Sequence, residues 1–151
     1  MSFLDRLRTP ARWAVAAGMA LAGTGHFVST EAFLGQTPDF LPFRREIVLV
    51  SGAVELGFAA ALLLLPRHRR LVGRLLALFF IVIFPGNLYQ AFAGTSSFGL
   101  DTATERWVRL LFQPVFVVAA LWVTSGPEYH RRAEGAVRHP DPASDEEERP
   151  A

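Results

Sequence analysis

The chain has 151 residues, of which 51% are hydrophobic and 19% charged, with a formal net charge of +1 and no cysteine. That length holds one domain, and the charge content falls below the roughly one quarter usual in soluble domains. The missing thiols exclude disulfides, thiol exchange, cysteine-bound zinc and iron–sulfur clusters. The balanced charge gives nucleic acid no electrostatic footing. All 15 basic residues are arginine, which excludes a lysine nucleophile or Schiff base.

Four apolar runs follow one another along the chain: Ala11–Val28, Ile47–Leu65, Leu71–Phe92 and Trp107–Ser125. Each comes close to the ~20 residues that cross a bilayer core of ~30 Å. The charges lie between the runs and not along one face of them, unlike the striped helices of soluble cores. The expected fold is therefore all-α, a transmembrane four-helix bundle over residues 11–125. The first run also offers Ala20-Leu21-Ala22, a small-x-small pattern that suits a secretory signal. Its apolar stretch continues to Val28, which favours a span.

The first connection, Ser29–Glu46, is the longer outer loop. Ser29 can cap a short helix with Glu31 in its first turn. Phe33, Leu34, Phe40, Leu41 and Phe43, punctuated by Pro38 and Pro42, place this segment at the interface or folded over the bundle. Pro66-Arg67-His68-Arg69-Arg70 is a tight basic turn, which makes the second and third spans antiparallel neighbours. Pro85 in the third span and Pro114 in the fourth are expected to break their helical ladders. Gly94–Gly99 reads as a flexible outer loop. From Gly126 to Ala151 prolines and charges dominate, ending in Asp145-Glu146-Glu147-Glu148 before the last residues. Such a tail buries no core and is expected to be disordered.

Arginine placement orients the bundle. Arg6, Arg8, Arg12, Arg67, Arg69, Arg70, Arg74, Arg131, Arg132 and Arg138 fall on one side of it, and Arg44, Arg45, Arg106 and Arg109 on the other. The positive-inside rule then puts both termini in the cytoplasm.

Polar groups inside a bilayer are costly and call for partners or a purpose. Each span carries a prominent one: His26, Glu55, Asn87 and Gln113. At a rise of ~1.5 Å per residue Glu55 lies roughly 12 Å below the outer end of its span. The other three also fall in the outer half. Arg109 sits one turn above Gln113, Ser51 shares a stripe with Glu55, and Gln90 shares a face with Asn87. Gly18, Ala22 and His26 repeat every four residues, a small-residue stripe that admits close helix approach. One shared polar cluster is expected. A lone intramembrane His or Asn often only bonds a neighbouring helix. A carboxylate at the depth of Glu55 must be protonated or paired, either in a binding or proton-handling site or structurally with Arg109 or His26. Tyr89 and Trp107 suit interfacial anchors.

The motifs GTGHF at 23–27, SGAVELG at 51–57 followed by LLLLPRHRR at 62–70, FPGNLYQAF at 84–92 and RLLFQP at 109–114 resemble the DoxX-like family of small bacterial membrane proteins. The likeness runs from about Gly18 to Trp122. It implies a four-helix membrane bundle in the bacterial inner membrane, with His26, Glu55, Asn87 and Gln113 in the matching motifs. The family's name comes from a subunit of a thiosulfate:quinone oxidoreductase, and some members are linked to redox-stress complexes.

The function expected is that of an auxiliary or membrane-anchor subunit. Its polar cluster would bind a quinone- or lipid-like ligand, or a partner protein. Glu55 and His26 would exchange hydrogen bonds with a quinone oxygen, Asn87 and Gln113 would orient it, and Arg109 would tune the charge on Glu55. A quinone-linked oxidoreductase subunit and a membrane-protein assembly factor are the alternatives. Catalysis by this chain alone is not expected. A bis-histidine haem needs two imidazoles at membrane depth, whereas His68 lies in the basic turn and His130 and His139 in the tail. No dinucleotide fingerprint or metal site is read from the sequence, so no intrinsic cofactor is expected. The polar groups gather at one depth and form no file across the membrane, which disfavours a channel. Membrane lipid and a redox or membrane-protein partner are the expected contacts.

Overall fold

The computed structural model describes residues 3–94 and 102–125. The glycine-rich outer loop and the polar tail expected from the sequence lie outside these residues. Helix α1 spans Phe3–Val28, α2 spans Thr30–Leu34, α3 spans Arg44–Leu64, α4 spans Arg69–Ala93 and α5 spans Ala103–Thr124. A single 3-10 turn, Pro66–His68, joins α3 to α4. Among the described residues there is no strand.

Local chemistry accounts for the ends of these helices. Helix α1 starts well before the apolar run. Asp5 stands in its first turn, where a carboxylate meets the positive end of the helix dipole, and Arg8 pairs with it one turn on. Ser29 stands before α2 as expected, yet its side chain makes no cap bond. Helix α4 stops at Gly94, whose φ of 70° only glycine adopts without penalty, and whose N–H donates to the Gln90 carbonyl. Helix α5 opens on a capping box. The Thr102 hydroxyl accepts from the Glu105 N–H, and the Glu105 carboxylate accepts from the Thr102 N–H at 2.9 Å. Thr102→Ala should lower stability by about 1 kcal/mol, read as a drop in the unfolding midpoint of the detergent-solubilised protein.

Neither Pro85 nor Pro114 divides its helix. Both α4 and α5 run continuously through Pro85 and Pro114. Proline removes one N–H and leaves one carbonyl without its usual donor, and packing against a neighbour offsets that loss. Here α4 and α5 pack extensively on each other, as do α1 and α3. Contacts of α3 with α4 and of α1 with α5 are sparser. The short turn thus makes α3 and α4 successive but not principal partners.

The apolar core fills the half nearer the Pro66–His68 turn. Ala16 and Met19 of α1 meet Ala59 and Leu62 of α3, Val72, Leu76 and Ala77 of α4, and Ala120 of α5. Three segments are long and apolar enough to cross a membrane: Arg44–Leu64, Pro66–Ala93 and Ala103–Thr124. Only 28% of each apolar window is buried within the molecule. The rest presents large side chains outward, among them Leu64, Phe92 and Leu111. Water would penalise that surface, and lipid tails do not. Helix α1 has the length for a span but is diluted by small residues, Arg12 and His26.

The segment between α2 and α3 folds over one end of the bundle. Arg44 stitches it, donating to the carbonyls of Leu34 at 2.7 Å and Thr37 at 2.9 Å and pairing with Asp39 at 2.7 Å. Tyr89 donates to Asp39 at 3.1 Å and meets the ring of Phe40 edge-on. This tyrosine therefore ties α4 to the loop. Trp107 meets Phe92 edge-on across the open end of α4 and α5. Phe43 closes the loop at φ 57°, in the left-handed region.

Candidate functional site

Two glycines set the geometry of the α1–α3 crossing. A Cβ on Gly23 would lie 2.8 Å from the carbonyl oxygen of Gly52, and a Cβ on Gly52 would lie 2.9 Å from that of Gly23. The two backbones therefore touch, as small residues permit between membrane helices. Three residues beyond each glycine stands a polar side chain, His26 on α1 and Glu55 on α3, and both are buried.

The imidazole is held on three sides. Its Nδ1 lies 2.7 Å from the Val48 carbonyl oxygen, and its Nε2 lies 3.6 Å from Glu55 Oε1. The ring of Phe33 from α2 lies against it, tilted by 34°, with centroids 3.7 Å apart. The Thr30 hydroxyl donates to the backbone carbonyl of His26, which fixes α2 against the end of α1. Glu55 Oε2 is buried and has no hydrogen-bond partner among the described residues.

A second polar group lies between α4 and α5. Asn87 Nδ2 donates to Gln113 Oε1 at 3.1 Å, and Gln113 Nε2 donates to the carbonyl of Phe80. That carbonyl lies next to Ile81, the acceptor that Pro85 deprives of its donor, so Gln113 braces α4 in the turn before the proline. One turn up, Arg109 donates from Nη1 to Gln90 Oε1 at 2.9 Å and from Nη2 to Gln36 Oε1 at 2.8 Å. Gln90 is 1% exposed, so this link joins α4, α5 and the loop in a dry setting. Such charge-assisted bonds hold the guanidinium in one direction.

Six of the seven candidate residues thus fall into two groups. His26 and Glu55 meet across α1 and α3. Asn87 meets Gln113, and Arg109 meets Gln90, across α4 and α5. No hydrogen bond or ion pair joins His26 or Glu55 to Asn87 or Gln113 among the described residues. Ser51 is half-buried on α3, one turn before Glu55. Sequence reasoning passed over Gln36 and Phe33. A glutamine in a Gly-Gln-Thr-Pro turn reads as solvated, and only the Arg44 stitching turns that loop inward. Phe33 belonged to a row of loop aromatics with nothing to single it out.

A groove of about 510 Å3 runs along the outside of α1. Its floor is Gly18, Ala22, Gly25 and Ser29, with Leu21, Phe33 and Arg109 of α5 as walls. The floor residues span 11 positions, roughly 16 Å of helix. Arg109 is the one member of the seven that lines the groove. Phe33 lines the groove and its ring also packs against His26.

The described residues thus form an all-helical fold with three segments that suit a membrane. The chain belongs to the family described as Domain of unknown function (DUF8561), whose match covers residues 15–124. No curated protein and no solved structure matches it.

Proposed function

We propose that this is an auxiliary integral membrane protein that holds an amphipathic, quinone- or lipid-like ligand in the groove beside α1. The groove with Arg109 at its wall carries the reading. Its volume falls within the ~300–1,000 Å3 of small-molecule sites. An apolar chain fits the small-residue floor, and a carbonyl, phosphate or carboxylate head accepts from the guanidinium and from Ser29. Gln36 and Gln90 point the guanidinium, so a bound head group meets an oriented donor. His26 packs against Phe33, one side chain away from the ligand, with Glu55 beside it.

In this reading α1 is a fourth span beside α3, α4 and α5, and the protein sits in the bacterial cell membrane with both termini in the cytoplasm. The arginine excess in the N-terminal segment, the Arg67–Arg74 turn and the tail supports that orientation. Kinship with the DoxX-like proteins rests on the four motifs given above. Any redox centre would come from a partner protein.

Gly18→Leu tests the groove directly. A Cβ at Gly18 meets nothing within 4 Å, so the substitution fills the groove without disturbing the helix packing. The reconstituted variant should bind a short-chain quinone and a single-chain phospholipid at least tenfold more weakly than the unaltered protein, with unchanged helicity. Equal binding of both probes would remove the groove from the function.

A further inference from the structure

We infer that His26 and Glu55 form a proton-binding site in which the two side chains hold one proton in common. The carbonyl oxygen of Val48 accepts and cannot donate, so the His26 nitrogen at 2.7 Å from it, Nδ1, carries a hydrogen. A neutral ring with its proton on Nδ1 turns a lone pair toward Glu55 from Nε2. Glu55 Oε1 faces that nitrogen at 3.6 Å. A carboxylate there would set two acceptors against each other.

The surroundings leave that arrangement nothing to offset it. The side chains are 10% and 9% exposed for His26 and Glu55. Glu55 Oε2 is buried and receives no donor among the described residues. From α1 and α3 the nearest packed groups are the backbones of Gly23 and Gly52, and from α2 they are the ring of Phe33 and the hydroxyl of Thr30, which is turned to the His26 carbonyl. The basic groups at this end are engaged elsewhere: Arg109 donates to Gln90 and Gln36, Arg44 is held by Leu34, Thr37 and Asp39, and Arg45 pairs with Glu31. A carboxylate beside a neutral imidazole would therefore be a buried charge with neither counter-ion nor donor, the costliest state available to it.

One added proton removes the conflict in either of its two positions. On Glu55 it gives a neutral acid whose Oε1–H faces Nε2 and donates to it once the 3.6 Å separation closes to about 2.8 Å. On His26 it gives an imidazolium that donates from Nε2 to Oε1. The pair is electrically neutral in both forms, and in both the Val48 bond survives. The site thus stores a proton against Phe33, a residue that also lines the groove. The inference stands without any ligand in that groove, so its failure and the failure of the proposed function are separate events.

The experiment uses the full chain reconstituted in lipid nanodiscs at neutral pH. Infrared difference spectra of wild type against Glu55→Gln report whether Glu55 is an acid or a carboxylate. Nitrogen-15 spectra of histidine-labelled protein, assigned with His26→Gln, report which ring nitrogens carry hydrogen. The expected result is either a carboxylic acid with His26 protonated on Nδ1 alone, or a carboxylate with both nitrogens protonated. An alkaline pH jump should then release one proton fewer per chain from Glu55→Gln than from wild type. Glu55→Gln should keep its helicity and unfolding midpoint, because the amide N–H donates to Nε2 as the shared proton does. A carboxylate beside a singly protonated ring, or a ring protonated only on Nε2, overturns the proposal.

Discussion

Replacing Gly52 by alanine should destabilise the protein by about 3 kcal/mol, at the upper end of what overpacking a well-filled interior usually costs. The new methyl carbon would lie 2.5 Å from His26 Cβ and 2.9 Å from the Gly23 carbonyl oxygen. Neither neighbour can give way cheaply. One is backbone, and the other is the root of a side chain already held by Val48 and Phe33. Relief requires α1 to move off α3, which separates His26 from Glu55. The measurement is thermal unfolding in mild detergent followed by helicity. Gly57→Ala serves as the control, because a Cβ there meets nothing within 4 Å. That control should change stability little or raise it slightly, since alanine favours a helix over glycine by up to about 1 kcal/mol. Equal midpoints for the two variants would show that α1 and α3 do not cross at this glycine.

The second large effect is expected at the other helix pair. A Cβ on Gly73 would overlap the Thr124 hydroxyl and lie 2.7 Å from Thr124 Cβ and 3.0 Å from the Ala120 carbonyl oxygen. Thr124 is 4% exposed, and its hydroxyl donates to that same carbonyl at 2.8 Å. The hydroxyl also reaches the Leu121 carbonyl at 3.2 Å, and the Thr124 Cβ that carries it is part of the clash, so the side chain cannot clear the new methyl by rotating its hydroxyl alone. Gly73→Ala should cost about 2 kcal/mol. Adding Thr124→Gly to it should return part of the loss, with a coupling energy of about 1 kcal/mol between the two sites. Additive losses in the double variant would place Thr124 away from Gly73.

These two contacts also show where reading the chain stopped. Glycine at 23, 52 and 73 was legible as glycine in an apolar run, and small residues in such runs suggest close approach. Which glycine meets which helix was not legible, since Gly18 and Gly57 share the same composition around them and touch nothing within 4 Å of a Cβ. The polar side chains behaved alike. Bilayer cost alone singles out His26, Glu55, Asn87 and Gln113, because each is expensive wherever it points, and Arg109 follows from its spacing to Gln113. The grouping into an α1–α3 pair and an α4–α5 set follows from which helices pack together, and spacing along one helix carries no information about its partner. Gln36 escaped notice because a loop residue acquires a role only when the loop is pinned, here by Arg44 to Leu34, Thr37 and Asp39. The prolines misled for a related reason. Pro85 and Pro114 weaken an isolated helix, but extensive packing of α4 on α5 carries both through unbroken.

What the chain determined unaided is its helical character and its suitability for lipid. Length and apolarity of a continuous segment are local properties, and the cost of an unsatisfied peptide group in hydrocarbon leaves such segments little choice but helix. What the tertiary structure decided is pairing: His26 with Val48 and Glu55, Asn87 with Gln113, Arg109 with Gln90 and Gln36, and a groove beside α1. Those facts depend on how rods rotate and slide against one another, and the energy that sets this lies in contacts between residues far apart in sequence.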